Sequence, residues 1–374
     1  MPSAVRPAAA AEYYVNPAGD NSDSGTIERP WRTIQQALDR AGPGDMITLL
    51  PGHYYQDMQT VRSGTAKDPI RIVGPSSAVI SGAGSARIFE INHSHITIEG
   101  ITFDGRFGER DTRRSYRDKL VYIVGTSPRS GPQGVAFHRV TFANAGGECV
   151  RLRYFASRNI IAYSTFRACG VHDFRFGAGG KNGEAIYIGT SPEQIRHRDM
   201  PTSDVDRSNG NWIHHNFFDT QGNECVDIKE GASGNLIEHN RCSGNLDPDA
   251  AGLTSRGDDN VFRYNEVYNN RGSGIRLGGD RPNEGIRNDV YGNRLHDNMN
   301  GGIRFQRYPQ GTVCGNTSER NPGGAATGTY ARSFRPTEAC DAAARAEAEC
   351  HLPVAIGAHN AGELPAHCDA NVRG

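Results

Sequence analysis

Six segments of this chain share one pattern and repeat ionisable residues at fixed places within it. Glu148-Cys-Val-Arg-Leu-Arg153 aligns with Glu184-Ala-Ile-Tyr-Ile-Gly189 and Glu224-Cys-Val-Asp-Ile-Lys229. Ala251-Gly-Leu-Thr-Ser-Arg256, Ser273-Gly-Ile-Arg-Leu-Gly278 and Gly301-Gly-Ile-Arg-Phe-Gln306 follow. The third and fifth positions are apolar except at Ser255, so each segment is a strand with those positions inward. The fourth positions then face outward together: Arg151, Tyr187, Asp227, Thr254, Arg276 and Arg304. So do the sixth: Arg153, Gly189, Lys229, Arg256, Gly278 and Gln306. Glu184, Glu224 and Asp227 converge from neighbouring segments, and several carboxylates on a rigid scaffold suit a hard, oxygen-seeking ion such as Ca²⁺. Lys229 and Arg256 are neighbours in one column. Two cations about 5 Å apart repel, which biases Lys229 toward its neutral form and makes it a candidate general base. Arg256 and Tyr187 are candidates to protonate a leaving oxygen or stabilise its charge. Arg153, Arg276, Arg304 and Arg307, with His172 beside them, form the surface an acidic ligand would meet. One isolated pair of this kind reads as a solvated salt bridge of little consequence. Clustering over five or six consecutive segments weighs for a site.

The elements that position these residues are set by a second recurring phrase. Asn211-Trp-Ile-His-His-Asn216 returns as Asn235-Leu-Ile-Glu-His-Asn240, Asn260-Val-Phe-Arg-Tyr-Asn265 and Asn288-Asp-Val-Tyr-Gly-Asn293, with Gly311-Thr-Val-Cys-Gly-Asn316 as a worn copy. The closing Asn steps by 24 (240−216), 25 (265−240), 28 (293−265) and 23 (316−293) residues. A period in that range means stacked supersecondary units, and the alternation makes the units strands. The predicted fold is all-β: a single-domain right-handed parallel β-helix, with corresponding residues of successive coils about 4.8 Å apart. The repeated Asn residues are structural. Asn tolerates the left-handed region at corners, and its amide can bond the equivalent Asn of the next coil. His214 and His215 fall in this phrase and take a packing or corner role.

The chain divides into a residual leader or linker (1–11), an N-terminal cap (12–55), coils (56–320) and a C-terminal cap (321–374). Ile34, Ala37, Leu38 and Ala41 mark one face of a short amphipathic helix within 30–41, placed to cover the open end of the solenoid. Insertions over 106–118 and 191–208 leave the stack where they can wall a groove. Cys340–Cys350 reads as helical. Glycine, 46 of 374 residues, exceeds the usual ~7 per cent, as many tight turns require. A net charge of −1 gives no field for nucleic acid, and no apolar run is long enough to span a bilayer. The eight cysteines permit disulfides. Among Cys314, Cys340, Cys350 and Cys368 one or two bridges are expected. Cys149, Cys169, Cys225 and Cys242 read equally well as bridges or buried thiols. No zinc spacing is present. A secreted monomer acting on an acidic polysaccharide, without nucleic acid or membrane partners, fits these features.

Gly222-Asn-Glu-Cys-Val-Asp-Ile-Lys229, with Asn235-Leu-Ile-Glu-His-Asn240 and Ser255-Arg-Gly-Asp258, resembles the core of the chondroitinase B and alginate lyase family. The opening Tyr14-Val-Asn-Pro-Ala-Gly-Asp20, through Pro51-Gly-His-Tyr54, resembles the cap of secreted β-helix polysaccharide lyases, the pectate-lyase-like superfamily. The resemblance implies β-elimination on a uronic-acid polymer. Ca²⁺ would neutralise the uronate, Lys229 would take the C5 proton and Arg256 would assist departure of the leaving group. Glu224 stands where the family places a Ca²⁺-binding glutamate, five residues before the lysine, whereas Gly222 replaces its other acidic ligand. Asn223-Glu-Cys-Val-Asp-Ile-Lys-Glu-Gly231 also resembles a stretch of polygalacturonases, which hydrolyse with paired carboxylates. The alternatives to a lyase are a C5-epimerase, a glycoside hydrolase, and a non-catalytic carbohydrate-binding β-helix.

Overall fold

The computed structural model describes residues 10–195 and 201–341. Within them the chain winds into three parallel sheets of eleven, ten and ten strands, each coil adding one strand to each sheet. The six charged segments lie in one ten-stranded sheet. Arg151 pairs with Tyr187, Tyr187 with Asp227, Asp227 with Thr254, Thr254 with Arg276 and Arg276 with Arg304. The outward column is therefore the one expected from sequence. The Asn phrases form the eleven-stranded sheet, in which Trp212–His214, Leu236–Glu238, Val261–Arg263 and Asp289–Tyr291 are successive neighbours.

Asn ladders fix this stacking. The amide nitrogens of Asn216, Asn240, Asn265 and Asn293 each donate to the side-chain oxygen of the next coil's Asn, ending on Asn316, at 2.9–3.0 Å. That same oxygen also accepts the backbone N–H of the preceding Asn. A second ladder runs from Asn159 through Asn211 and Asn235 to Asn260. The left-handed residue at the corner is not the Asn but the one before it: His215, His239 and Tyr264 have φ of 53–54°, and Gly292 67°. There the side chains stack in turn, Tyr163 on His215, His215 on His239 and His239 on Tyr264, with centroids 4.9–5.2 Å apart. His215 thus takes the corner role, and His214 is buried against Trp212. Inside the tube, Phe103, Phe142, Phe166 and Phe218 stack coil upon coil.

The N-terminal helix runs Ile34–Arg40, capped by the Thr33 hydroxyl, with Ile34, Ala37 and Leu38 buried over the first coil. Within the 12–55 segment, Glu12–Val15 pairs with Met46–Leu49 at the start of the eleven-stranded sheet, and Gly52–Tyr54 pairs with Ala78–Ile80 in a ten-stranded one. Three disulfides join Cys149 to Cys169, Cys225 to Cys242 and Cys314 to Cys340. The four coil cysteines are thus bridged. The expected helix after Cys340, Cys350 and Cys368 lie outside the described residues, as do most of residues 1–11.

Asn265 lies mid-ladder, and its oxygen accepts from both nitrogens of Asn240 while its amide serves Ile237 and Asn293. Asn265→Ala would strand these buried donors and acceptors at about 1–3 kcal/mol each. A loss of roughly 3 kcal/mol or more in denaturant melts is expected, and a change below ~0.5 kcal/mol would show that the ladder does not hold the stack.

Candidate functional site

The strands Ile186–Ile188 and Val226–Ile228 bring Glu184, Glu224 and Asp227 to one spot, where a carboxylate oxygen of each lies within 4.8 Å of the others. All three are buried. Glu184 Oε2 accepts the Gly183 N–H at 2.9 Å, and Glu224 Oε1 accepts the Thr254 hydroxyl at 3.1 Å. Glu224 Oε2 and Asp227 Oδ1 are buried with no hydrogen-bond partner. Burial, then the charge of Glu148, pushes Glu184 up to about 7. Burial, then Asp227 and Glu184, pushes Glu224 up to about 8. Orphaned carboxylate oxygens in a buried cluster this tight fit a hard divalent cation, which supplies the missing charge and the missing ligand contacts together. All three residues assigned to a metal from sequence are thus brought together.

Lys229 differs from the sequence expectation. Its ammonium lies 2.5 Å from Asp227 Oδ2. Burial opposes its charge, but Asp227, Tyr187 and Glu184 outweigh both burial and the repulsion of Arg256, so its pKa is raised rather than lowered. The cause is strand geometry: Asp227 is two residues away on the same face, closer than the neighbouring coil's arginine. Tyr187 is buried and pushed up to about 12 by burial, so its phenol keeps its proton. The Lys229 nitrogen and the Arg151 guanidinium lie 4.5 and 4.3 Å from its ring centroid. Arg256 pairs with Glu230 at 2.9 Å and Asp280 at 3.3 Å.

Arg276 donates to the Gln306 side chain at 2.6 Å, and Arg304 to the Asp249 carbonyl at 3.1 Å. Among the described residues neither has a carboxylate within ion-pair distance, so both can receive an anionic ligand. Three other predicted contact residues are placed differently. Arg153 is buried and bonded to Thr190, Tyr122 and Gln194. Arg307 spends its guanidinium on the carbonyls of Arg281, Gln306 and Asp280, holding the 279–285 loop. The His172 ring nitrogen meets the carbonyls of Arg113 and Tyr116, tying its turn to the 106–118 loop. Sequence reasoning missed Gln194, Glu230 and the Lys119–Glu148–Arg151 cluster, whose ion pairs are 3.0 and 2.8 Å. The Lys119 signal was present, since Lys119 falls two residues before Val121, which pairs with Val150.

Comparison with known proteins sets the class. Residues 130–305 match the family described as right handed beta helix region, and residues 17–115 match one described as protein of unknown function (DUF1565). The alginate lyase of Paenibacillus sp. str. FPU-7 superposes with a TM-score of 0.61 at 19% identity, over 85% of this chain and 98% of that one. The GH136 lacto-N-biosidase of Eubacterium ramulus does so with a TM-score of 0.53 at 12% identity, over 85% and 68%. By sequence, pectate lyase PEL9 of Emericella nidulans is 39% identical over 77 residues, 20% of this chain and 19% of that protein. The match spans about a fifth of the length of the curated relatives. This chain is a right-handed parallel β-helix with the fold of polysaccharide lyases.

The raised carboxyls set a pH dependence. Both carboxyls sit above their ordinary value of 4.5, so the folded protein holds protons that the unfolded chain has released, and stability falls as pH rises from about 4.5 through about 8. His214, held down to about 3 by burial, gives the opposite slope below its ordinary value of 6.5. In chelator, the melting temperature is expected to fall between about pH 6.5 and 8.5, and Glu224→Gln is expected to flatten the decline. A rise over that window in the unmutated protein would contradict the protonation assigned to the pair.

Proposed function

We propose that this protein is a polysaccharide lyase that cleaves a uronic-acid-containing polymer by β-elimination. The observation that carries the reading is the placement of Lys229, Tyr187 and Arg256 beside three buried carboxylates, with Arg276 and Arg304, which have no carboxylate ion-pair partner among the described residues, on the next coils. Glu184, Glu224 and Asp227 would hold Ca²⁺, which supplies positive charge to neutralise the uronate carboxylate and acidify its α-proton. Arg276 and Arg304 bind the carboxylates of the sugars alongside. Lys229, on the sixth position of its strand, takes the C5 proton once it has released its own ammonium proton to solvent, a release favoured when Asp227 is engaged as a ligand instead of as its ion-pair partner. The C4–O bond then breaks as the C4–C5 double bond forms. Tyr187, whose phenol stays protonated, gives its proton to the departing oxygen, and Arg256 steadies the negative charge that develops there. Returning the proton to the opposite face would make the same set a C5-epimerase. Three disulfides suit an oxidising, extracytoplasmic setting, and among the described residues no helix is long and apolar enough to cross a membrane.

One observation favours a second reading. Glu184 and Glu224, raised toward neutrality by burial, stand within reach of Asp227, and a protonated carboxyl beside a carboxylate is the apparatus of a glycoside hydrolase. Products separate the two. Ultraviolet absorbance would be followed on alginate, pectate, glucuronan and dermatan, with calcium and with chelator. The lyase reading expects absorbance from unsaturated ends, lost in chelator and reduced roughly 10²–10⁴-fold in Lys229→Ala. Reducing ends without absorbance would establish the hydrolase. Neither product, with an altered nuclear magnetic resonance spectrum of the polymer, would establish the epimerase.

A further inference from the structure

Outward positions on a solenoid strand normally meet solvent. On the charged sheet those of three consecutive coils on the N-terminal side of the site do not, although Gln59 and Glu90 farther along the same column are exposed and half-buried. Tyr122, Arg151, Arg153 and Tyr187 all occupy outward positions on three consecutive coils, yet their exposures are 3, 7, 8 and 4%. Arg151 and Arg153 are held there by the described 191–195 limb of the insertion. Gln194, in the short turn Pro192–Ile195, accepts from Arg151 Nη2 at 2.8 Å and from Arg153 Nη2 at 3.1 Å. The returning limb is pinned by Asp206, which is fully buried and accepts from the Tyr154 and Phe155 amides and from the Thr190 and Ser208 hydroxyls. Thr190 in turn receives Arg153 Nε at 2.9 Å.

Charge shows the same asymmetry independently. On the covered side Glu148 and Asp118 together pair with Arg151 and Lys119. On the other side Arg276 and Arg304 are partly exposed and have no carboxylate partner among the described residues. From Asp227 to Arg304 is three coils, on the order of 14 Å at the strand spacing. Beyond Arg304 the exposed rings of Tyr308 and Tyr330 pair at 6.1 Å, an apolar surface of the kind sugar rings stack on.

We propose that the turn at Gln194 closes the groove on its N-terminal side, so that a uronate chain enters by one terminus, lies over Arg276 and Arg304, and is cut from that end. This rests on the lyase reading above. Gln194 is a specificity determinant acting through Arg151 and Arg153, not a catalytic residue. The test has two arms. In the first, product sizes are followed from the earliest times on the susceptible polymer. The shortest unsaturated products should dominate throughout, with slow loss of viscosity, and Gln194→Ala should shift the early products toward longer oligomers. Mid-length oligomers from the unmutated protein at the earliest times would overturn the closed groove. In the second arm, Lys229→Ala is titrated with uronate oligomers carrying a bulky label at either terminus. A label at one end should weaken binding by roughly tenfold or more, and a label at the other should not. Equal tolerance of both labels would overturn the closed groove whatever the chemistry. End-selective binding without any unsaturated product would leave the closed groove standing and remove the lyase.

Discussion

The constraint on which this molecule depends is coil register. A one-residue slip in a strand turns every outward side chain inward. Here that would drive Asp227, Lys229 and Arg276 into a core filled by Val226, Ile228 and Ile275. Register is held by the Asn ladders, in which one side-chain oxygen accepts both a backbone and a side-chain N–H from the coil before it. Hydrophobic stacking alone would permit sliding, since Phe142, Phe166 and Phe218 present similar surfaces to one another. Directional amide bonds do not permit it. The corner that bears the ladder is on a different sheet from the charged groove, so the groove's columns can vary coil by coil without loosening the stack.

That separation lets the groove carry an arrangement that costs stability. Three carboxylates within 4.8 Å of one another, all buried, repel and are poorly solvated. Lys229 compensates Asp227 but leaves Glu224 Oε2 and Asp227 Oδ1 without hydrogen bonds. Proteins retain such unsatisfied groups where a ligand completes them. The neighbouring cluster of Lys119, Glu148 and Arg151 shows the contrast. There the glutamate lies between two cations, so its pKa is lowered despite burial. Glu148 and Glu184 occupy equivalent column positions one coil apart, and their charged neighbours differ.

Much of this was legible in the sequence because two periodicities coincide. Strand alternation says which residues face out, and the coil repeat says which are neighbours. Together they place Glu184, Glu224 and Asp227 at one point, where the fold has them. The charge state of Lys229 was legible by the same alternation, since Asp227 at i−2 must share its face. Weighing Arg256 across the coils without Asp227 along the strand gave the wrong sign. The loops were not legible. Nothing in the types of His172 or Arg307 shows that their nitrogens turn to backbone carbonyls, because that depends on insertions that obey neither period. The coil cysteines were undecidable for a related reason, since a bridge across one coil, such as Cys225 to Cys242, leaves the same sequence pattern as two buried thiols.

The fold by itself does not decide the chemistry. A lyase and a biosidase superpose on this chain at comparable TM-scores, so function must be argued from the columns. A hydrolase needs a protonated carboxyl and a carboxylate, and has no use for a lysine between them. A cation-assisted elimination needs the carboxylates as ligands, a base on the same face and a proton donor for the leaving oxygen. Lys229 and Tyr187 are present beside the carboxylates, the lysine nitrogen 4.5 Å from the centre of the tyrosine ring. The arginines farther along the sheet tip the balance in the same direction. Arg276 and Arg304 on adjacent coils repel, Glu224 and Asp227 only partly offset this at Arg276, and an anion lying along the two arginines relieves it. A neutral glycan would leave that repulsion unrelieved, whereas a polymer with a carboxylate on each sugar relieves it coil by coil.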